Sequence, residues 1–241
     1  MGNFLLFDAA PRAGEAAAWK AAFDAEISSA LPQCHHLTFG VDSSSEVVLP
    51  PDFAALGLSL SVTTVLTQQR ARLRAPSRPL GEGLSARPLR LPEEAGLAVQ
   101  FQVECDAGEH EMPGYRIHRE HQMARYGAMQ QAGLGHWFGV FAQTDSGAKL
   151  VADCGLFRDS QASLARFQHV ETHPLWRRRG LCTALIHTAC RFGYEQMGVP
   201  TLVMLADPAD VAIGIYESVG FVRGLSTWQL ERRPDAAVAL A

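Results

Sequence analysis

FQHVETHPLWRRRGLCTALIHTACRFGYEQMG, residues 167–198, decides how the chain is read. The run ending in Val170, Glu171 and Thr172 reads as a strand, and His173-Pro174 stops it because proline has no amide with which to continue a ladder. The loop Arg177-Arg178-Arg179-Gly180-Leu181-Cys182 follows, and a helix opens inside it. Leu181, Leu185, Thr188 and Phe192 recur at the spacing of one helical face, and Gly198 with Pro200 closes the helix. A strand that feeds a short basic glycine turn at a helix N-terminus presents unpaired N–H groups at the positive end of the helix dipole, where phosphates bind readily. The arginines add attraction at longer range, and Gly180 lets the backbone approach a ligand with no Cβ in the way. A solvated arginine turn before a surface helix has the same local sequence, so this segment does not decide alone.

Thr201 to Ala206, TLVMLA, is a short apolar run of the kind a strand buried on both faces shows. Asp207 and Pro208 read as an N-cap and first helical residue, Val211, Ile215 and Val219 as a helix face, and Gly220 as a left-handed C-cap before a strand from Phe221. Together the two segments resemble the GNAT superfamily of N-acetyltransferases. The acetyl-CoA motif of that family is Arg or Gln, two residues, Gly, one residue, Gly or Ala, and Arg177, Gly180 and Cys182 match it. Its Tyr-x-x-x-Gly-Phe is matched by Tyr216, Gly220 and Phe221. Cys182 departs from the usual Gly or Ala but is small enough to keep the turn. Asp207 stands near where many members have Asn.

The resemblance runs in element order over roughly Leu84 to Arg233. It implies an α/β (α+β mixed-sheet) fold, a central mixed, mostly antiparallel sheet flanked by helices, with a smaller N-terminal α/β subdomain. It also implies an acetyl-CoA-dependent N-acetyltransferase that acts by direct attack of a primary amine, on a small molecule or peptide, in a ternary complex. By that resemblance Val170, Glu171 and Thr172 hold the pantetheine arm like an added strand. Arg177, Arg178, Arg179, Gly180, Leu181, Cys182 and Thr183 take the pyrophosphate, with Asp207 and Tyr216 beside the cofactor. Tyr216 is the acid facing the departing thiolate. Glu171 and His169, two apart on one strand face, are the candidates for the base, with Glu171 ranked first. A catalytically silent acetyl-CoA sensor or assembly domain is the alternative. An NTPase is disfavoured because GxxxxGK[ST] does not occur in the sequence.

Composition sets the frame. The chain has 241 residues, 47% of them hydrophobic, which is normal for a globular protein with a sizeable core. A net charge of −4 and a pI near 6.1 give no basic field for nucleic acid. Five cysteines, Cys34, Cys105, Cys154, Cys182 and Cys190, without CxxC spacing, indicate neither a disulfide framework nor a thiolate zinc site. No apolar run reaches the roughly 18 residues of a membrane span and no signal peptide is evident, so the expected location is cytoplasmic, as monomer or homodimer.

Glu15 to Ser29 carries Trp19, Phe23 and Ile27 four apart, a helix with one buried stripe. A strand over His35–Val41, a short helix after Pro50-Pro51, Gly57 and a strand over Leu58–Leu66 follow, the same order as from Gly180 to Leu230. Residues 1–75 are therefore read as a degenerate GNAT-like half-copy, with Phe53 where Tyr216 stands. Residues 76–86 read as a linker, 87–233 as the acetyltransferase domain and 234–241 as a tail. The domain opens with a strand over Arg87–Leu91 and a helix from Pro92 to about Cys105. A second helix starts at Pro113 with Ile117, His121, Ala124 and Ala128 on one face. Strands over His136–Gln143, Lys149–Phe157 and Leu164–Thr172 turn at Asp145-Ser146-Gly147 and Asp159-Ser160. His118 and His121 have no carboxylate or thiolate partner in register, and the adjacent His35 and His36 point to opposite strand faces, so no metal is expected.

Overall fold

The computed structural model describes residues 3–31, 36–43, 45–106, 108, 112, 114–145, 147–159, 161 and 163–232. Cys34, His35, Pro113, Ser146, Ser160 and the expected tail lie outside these. In chain order the elements are β1 (Leu5–Phe7), α1 (Ala16–Phe23), β2 (Leu37–Val41), α2 (Pro51–Ala55), β3 (Ser59–Gln69), β4 (Leu84–Pro88), α3 (Ala95–Cys105) and α4 (Gly114–Gln131). They continue with β5 (Gly135–Thr144), β6 (Gly147–Arg158), β7 (Ala165–Thr172), α5 (Leu181–Glu195), β8 (Thr201–Ala206), α6 (Ala212–Val219) and β9 (Val222–Arg232). The chain forms two compact units, Met1–Val65 with Ala206–Pro208 and Gly224–Ala241, and Leu66–Leu205 with Ala209–Arg223.

In the first unit β1 pairs parallel with β2, and β2 pairs antiparallel with β9, Phe39 opposite Leu230. The Ser59 and Ser61 hydroxyls donate to the carbonyls of Glu231 and Gln229, which ties β3 to β9. An aromatic cluster fills the core: Phe7 stacks on Trp19 at 3.6 Å between centroids, and Phe39 and Phe53 meet Trp19 edge-on. Asp52 of α2 accepts from the Gly14 and Ala16 amides and so holds the start of α1. The order α1, β2, α2, left-handed Gly57, β3 matches α5, β8, α6, left-handed Gly220, β9.

In the second unit β4, β5, β6 and β7 form an antiparallel meander and β8 joins β7 in parallel, so the sheet is mixed and mostly antiparallel. Helices cover both faces, because side chains of a strand alternate. On β5, Trp137 turns to Tyr126 of α4, whereas His136 and Phe138 turn to Phe192 of α5.

Several expected boundaries move. The first strand of this unit occupies 84–88, reaching back into the expected linker, and β9 belongs from Gly224 onward to the first unit. The buried stripe of α4 is Met123, Tyr126 and Gly127, while Ile117 is exposed. Alanines weigh little in such a stripe, and Tyr126 wins because it packs on Trp137 and Phe157. The face of α6 is Ile213, Tyr216 and Val219 rather than Val211, Ile215 and Val219, and Val211 is 87% exposed.

Candidate active site

The ladder between β7 and β8 holds at Ala165↔Leu202 and Arg166↔Val203. Beyond those pairs lies a cavity of about 570 Å³. Its walls are the end of β7 (Val170, Glu171, Thr172), the turn and first residues of α5 (Trp176, Arg177, Arg178, Gly180, Leu181, Cys182, Thr183) and the approach to α6 (Asp210, Val211, Ala212, Ile215, Tyr216).

Local bonds fix the turn. Arg177 Nε donates to the Thr172 carbonyl at 3.1 Å, and His173 Nδ1 accepts from the Leu175 amide at 3.2 Å. Arg178 (φ 63°) and Gly180 (φ 77°) are both left-handed, a backbone concavity that gathers N–H groups. The first bond of α5 runs from the Ala184 amide to the Gly180 carbonyl at 3.1 Å. The amides of Leu181, Cys182 and Thr183 precede it and have no side-chain cap. A Cβ added to Gly180 meets nothing within 4 Å, so the turn is open on the side where a ligand would approach. Arg179 lies instead over the Trp176 ring at 4.8 Å.

Asp210 rather than Asp207 lines the cavity, and its Oδ1 accepts from the Ala212 amide at 2.8 Å. With that bond α6 starts at Ala212, four residues after the Pro208 start expected from sequence. Tyr216 is buried, and its phenol is pushed up by burial and by the neighbouring Cys182 and Asp210, so it holds its proton at neutral pH. The Cys182 thiol is pushed up to about 12 by burial and Asp210 and is likewise neutral.

On β7 a bulge decides the other half of the site. Asp153 faces Glu171 and Gly155 faces Gln168, so two β7 residues, His169 and Val170, stand against Cys154 alone. His169 takes φ 43°, and its Nε2 lies 2.9 Å from Glu171 Oε2. Glu171 lines the cavity, and His169 is not among the lining residues. The two candidate bases are therefore one hydrogen-bonded pair. Arg119 Nη2 lies 3.4 Å from His169 Nδ1.

Ten of the residues expected to bind a cofactor thus line one cavity: Val170, Glu171, Thr172, Arg177, Arg178, Gly180, Leu181, Cys182, Thr183 and Tyr216. Trp176, Asp210, Val211, Ala212 and Ile215 complete it without having been expected there, Val211 and Ile215 having been read only as a helix face. Asp210, two residues before a helix, carries the sequence signal of a cap. The arrangement offers a turn lined by uncapped amides, a strand end beyond its ladder with β8, a protonated phenol and a hydrogen-bonded histidine–glutamate pair.

Residues 103–221 match the model of the acetyltransferase (GNAT) family. No curated protein matches the chain in sequence. A GCN5-related N-acetyltransferase from Sphaerobacter thermophilus has a similar structure at 17% identity, TM-score 0.66, over 92% of this chain and 70% of that one. A protein described as functionally unknown from Staphylococcus epidermidis superposes over 95% of this chain and 84% of its own, TM-score 0.74, at 11% identity. A tandem GNAT protein from the clavulanic acid biosynthesis pathway does so over 93% and 72%, TM-score 0.59, at 14% identity. At these identities the likeness is one of fold.

Proposed function

We propose that residues 103–221, which match the model of the acetyltransferase (GNAT) family, make this chain an acetyl-CoA-dependent N-acetyltransferase acting on a primary amine of a small molecule or peptide. The acetyl group passes by direct attack within a ternary complex. One observation carries the reading: a single cavity holds the uncapped amides of α5, the end of β7 and Tyr216. Acetyl-CoA supplies the activated acetyl group as a thioester. The amides of Leu181 to Thr183, with Arg177 and Arg178, receive its diphosphate. Val170 and Glu171 offer backbone groups to the pantetheine arm in the manner of an added strand, while the Thr172 carbonyl is already engaged by Arg177. The His169–Glu171 pair takes the proton of the attacking amine. Tyr216 donates a hydrogen bond to the departing sulfur.

Residues 87–233 carry this chemistry in our reading, and residues 1–75 are a degenerate half-copy in which Phe53 replaces the tyrosine. A silent acetyl-CoA-binding domain is the second reading. The upward-pushed Tyr216, a poorer acid than a free phenol, favours it.

Thermal unfolding with each ligand tests the proposal. Acetyl-CoA and CoA at a hundred times their Kd stabilise by about 2.7 kcal/mol, which raises the melting temperature by roughly 5–10 °C, and ATP at the same concentration does not. No shift with either CoA form rejects both readings. Binding without turnover across a panel of amines, followed by thiol release, selects the silent domain.

A further inference from the structure

Behind the cavity lies a connected set of groups to which the reaction described above gives no role. Asp153, on β6, is fully buried. Its Oδ2 accepts from Gln102 Nε2 at 2.8 Å and from Trp137 Nε1 at 2.9 Å, and its Oδ1 has no hydrogen-bond partner among the described residues. The Trp137 indole is stacked with the His169 imidazole, centroids 6.4 Å and planes 21° apart. Gly155 leaves room for that indole, since a Cβ there would come within 2.6 Å of the ring. His169 in turn holds Glu171.

Across the β6/β7 ladder Asp153 stands directly opposite Glu171, so the two carboxylates share a sheet face. Like charges in that position repel, and a buried carboxylate costs free energy that an apolar residue at 153 would not. Such a cost persists where the charge serves the chemistry.

We infer that Asp153 is a positioning residue for the proton-accepting pair, its carboxylate fixing the Trp137 indole beside His169 and setting a buried negative charge opposite Glu171. The role of the pair is taken from the proposed function. The coupling of Asp153 to His169 is a property of the free protein. The groups facing Asp153 are His169 and Glu171 from β7, Gln102 and Cys105 from α3, Trp137 from β5 and the adjoining Cys154, with Arg119 of α4 reaching His169. Burial pushes the Asp153 carboxyl up to about 6, and His169 opposes that rise. Asp153 is thus ionised at neutral pH, a buried charge beside the His169–Glu171 pair. That charge is lost as Asp153 takes up a proton in mild acid.

NMR of the Trp137 indole N–H in the full ligand-free chain tests this, with Trp137→Phe assigning the signal. In the wild type that signal shifts as pH crosses about 6, because its acceptor takes up a proton. In Asp153→Asn, which keeps the shape and an acceptor for Trp137, it stays in place over the same range, and turnover falls about tenfold with the KM for acetyl-CoA unchanged. A wild-type indole signal that ignores pH, or unchanged turnover in a folded Asp153→Asn, overturns the inference. The wild-type curve decides by itself if the variant does not fold. Failure of acetyl-CoA to raise the melting temperature is a separate result that strikes the proposed function.

Discussion

Tyr216→Phe lowers turnover about 100-fold and leaves the Kd for acetyl-CoA within about a factor of two. The phenol sits on α6 in the wall of the cavity, with burial, Cys182 and Asp210 all disfavouring its ionisation. Passing its proton outright from an ordinary phenol to a thiolate of pKa about 8.5 is uphill by roughly 2 kcal/mol, and the environment of Tyr216 makes it more so. Its contribution is therefore a hydrogen bond to charge that develops as the carbon–sulfur bond breaks, an interaction stronger in the transition state than in the ground state. Steady-state thiol release together with calorimetric binding of acetyl-CoA measures both quantities. Unchanged turnover rejects the role. Lost binding shows that the hydroxyl shapes the cavity instead.

Gly220→Ala destabilises the fold by about 3 kcal/mol, a fall of roughly 6–12 °C in melting temperature. Gly220 ends α6 in the left-handed region, φ 113°, with its amide bonded to the carbonyls of Tyr216 and Glu217. Alanine pays the steric penalty of that conformation, and its Cβ would overlap the Arg72 carbonyl oxygen. The 68–74 segment cannot retreat without breaking bonds, because the Gln68 side chain and the Arg74 amide both donate to the Val219 carbonyl at 2.9 Å. Gly214→Ala, inside α6 with no atom within 4 Å of the added Cβ, is the control and stabilises by about 0.5–1 kcal/mol. Urea unfolding of the two variants gives opposite signs. Equal shifts would show that the helix, and not its end, sets the effect.

The cavity was legible to a large extent because most of its parts are local. The end of β7, the turn at Arg177 to Gly180 and the helix after it are contiguous, and a glycine at position 220 announces its own conformation. Misreadings arose where a short segment offers competing local partners and where partners lie far along the chain. Asp207 followed by Pro208 reads as the start of α6, but the aspartate that accepts from a first-turn amide, that of Ala212, is Asp210. Arg179 leaves the cavity because Trp176 offers it a ring. Asp153 reads as one polar residue in a strand. Its partners are Gln102, fifty-one residues away, and Trp137, sixteen away, and no periodicity connects them. The bulge that sets His169 beside Glu171 is equally invisible, since it depends on how β6 and β7 are registered.

The buried carboxylate of Asp153 also shapes how the molecule tolerates its solvent. Its ordinary value is 3.8 and its folded value about 6, so between those limits the native chain keeps a proton that the unfolded chain has released. Stability therefore declines as pH rises through that window, by about 3 kcal/mol in all, and stays low above it. Glu94 works in the opposite sense: Arg87 and Arg90 hold it at about 2, and its support vanishes as acid takes the pH below the ordinary 4.5. Denaturant melts of the wild type and Asp153→Asn at mildly acidic and at neutral pH should converge in the first and favour the variant in the second. Anyone evolving this protein for heat resistance alone would then be drawn to position 153, and would harvest a sturdier chain with a weakened proton acceptor.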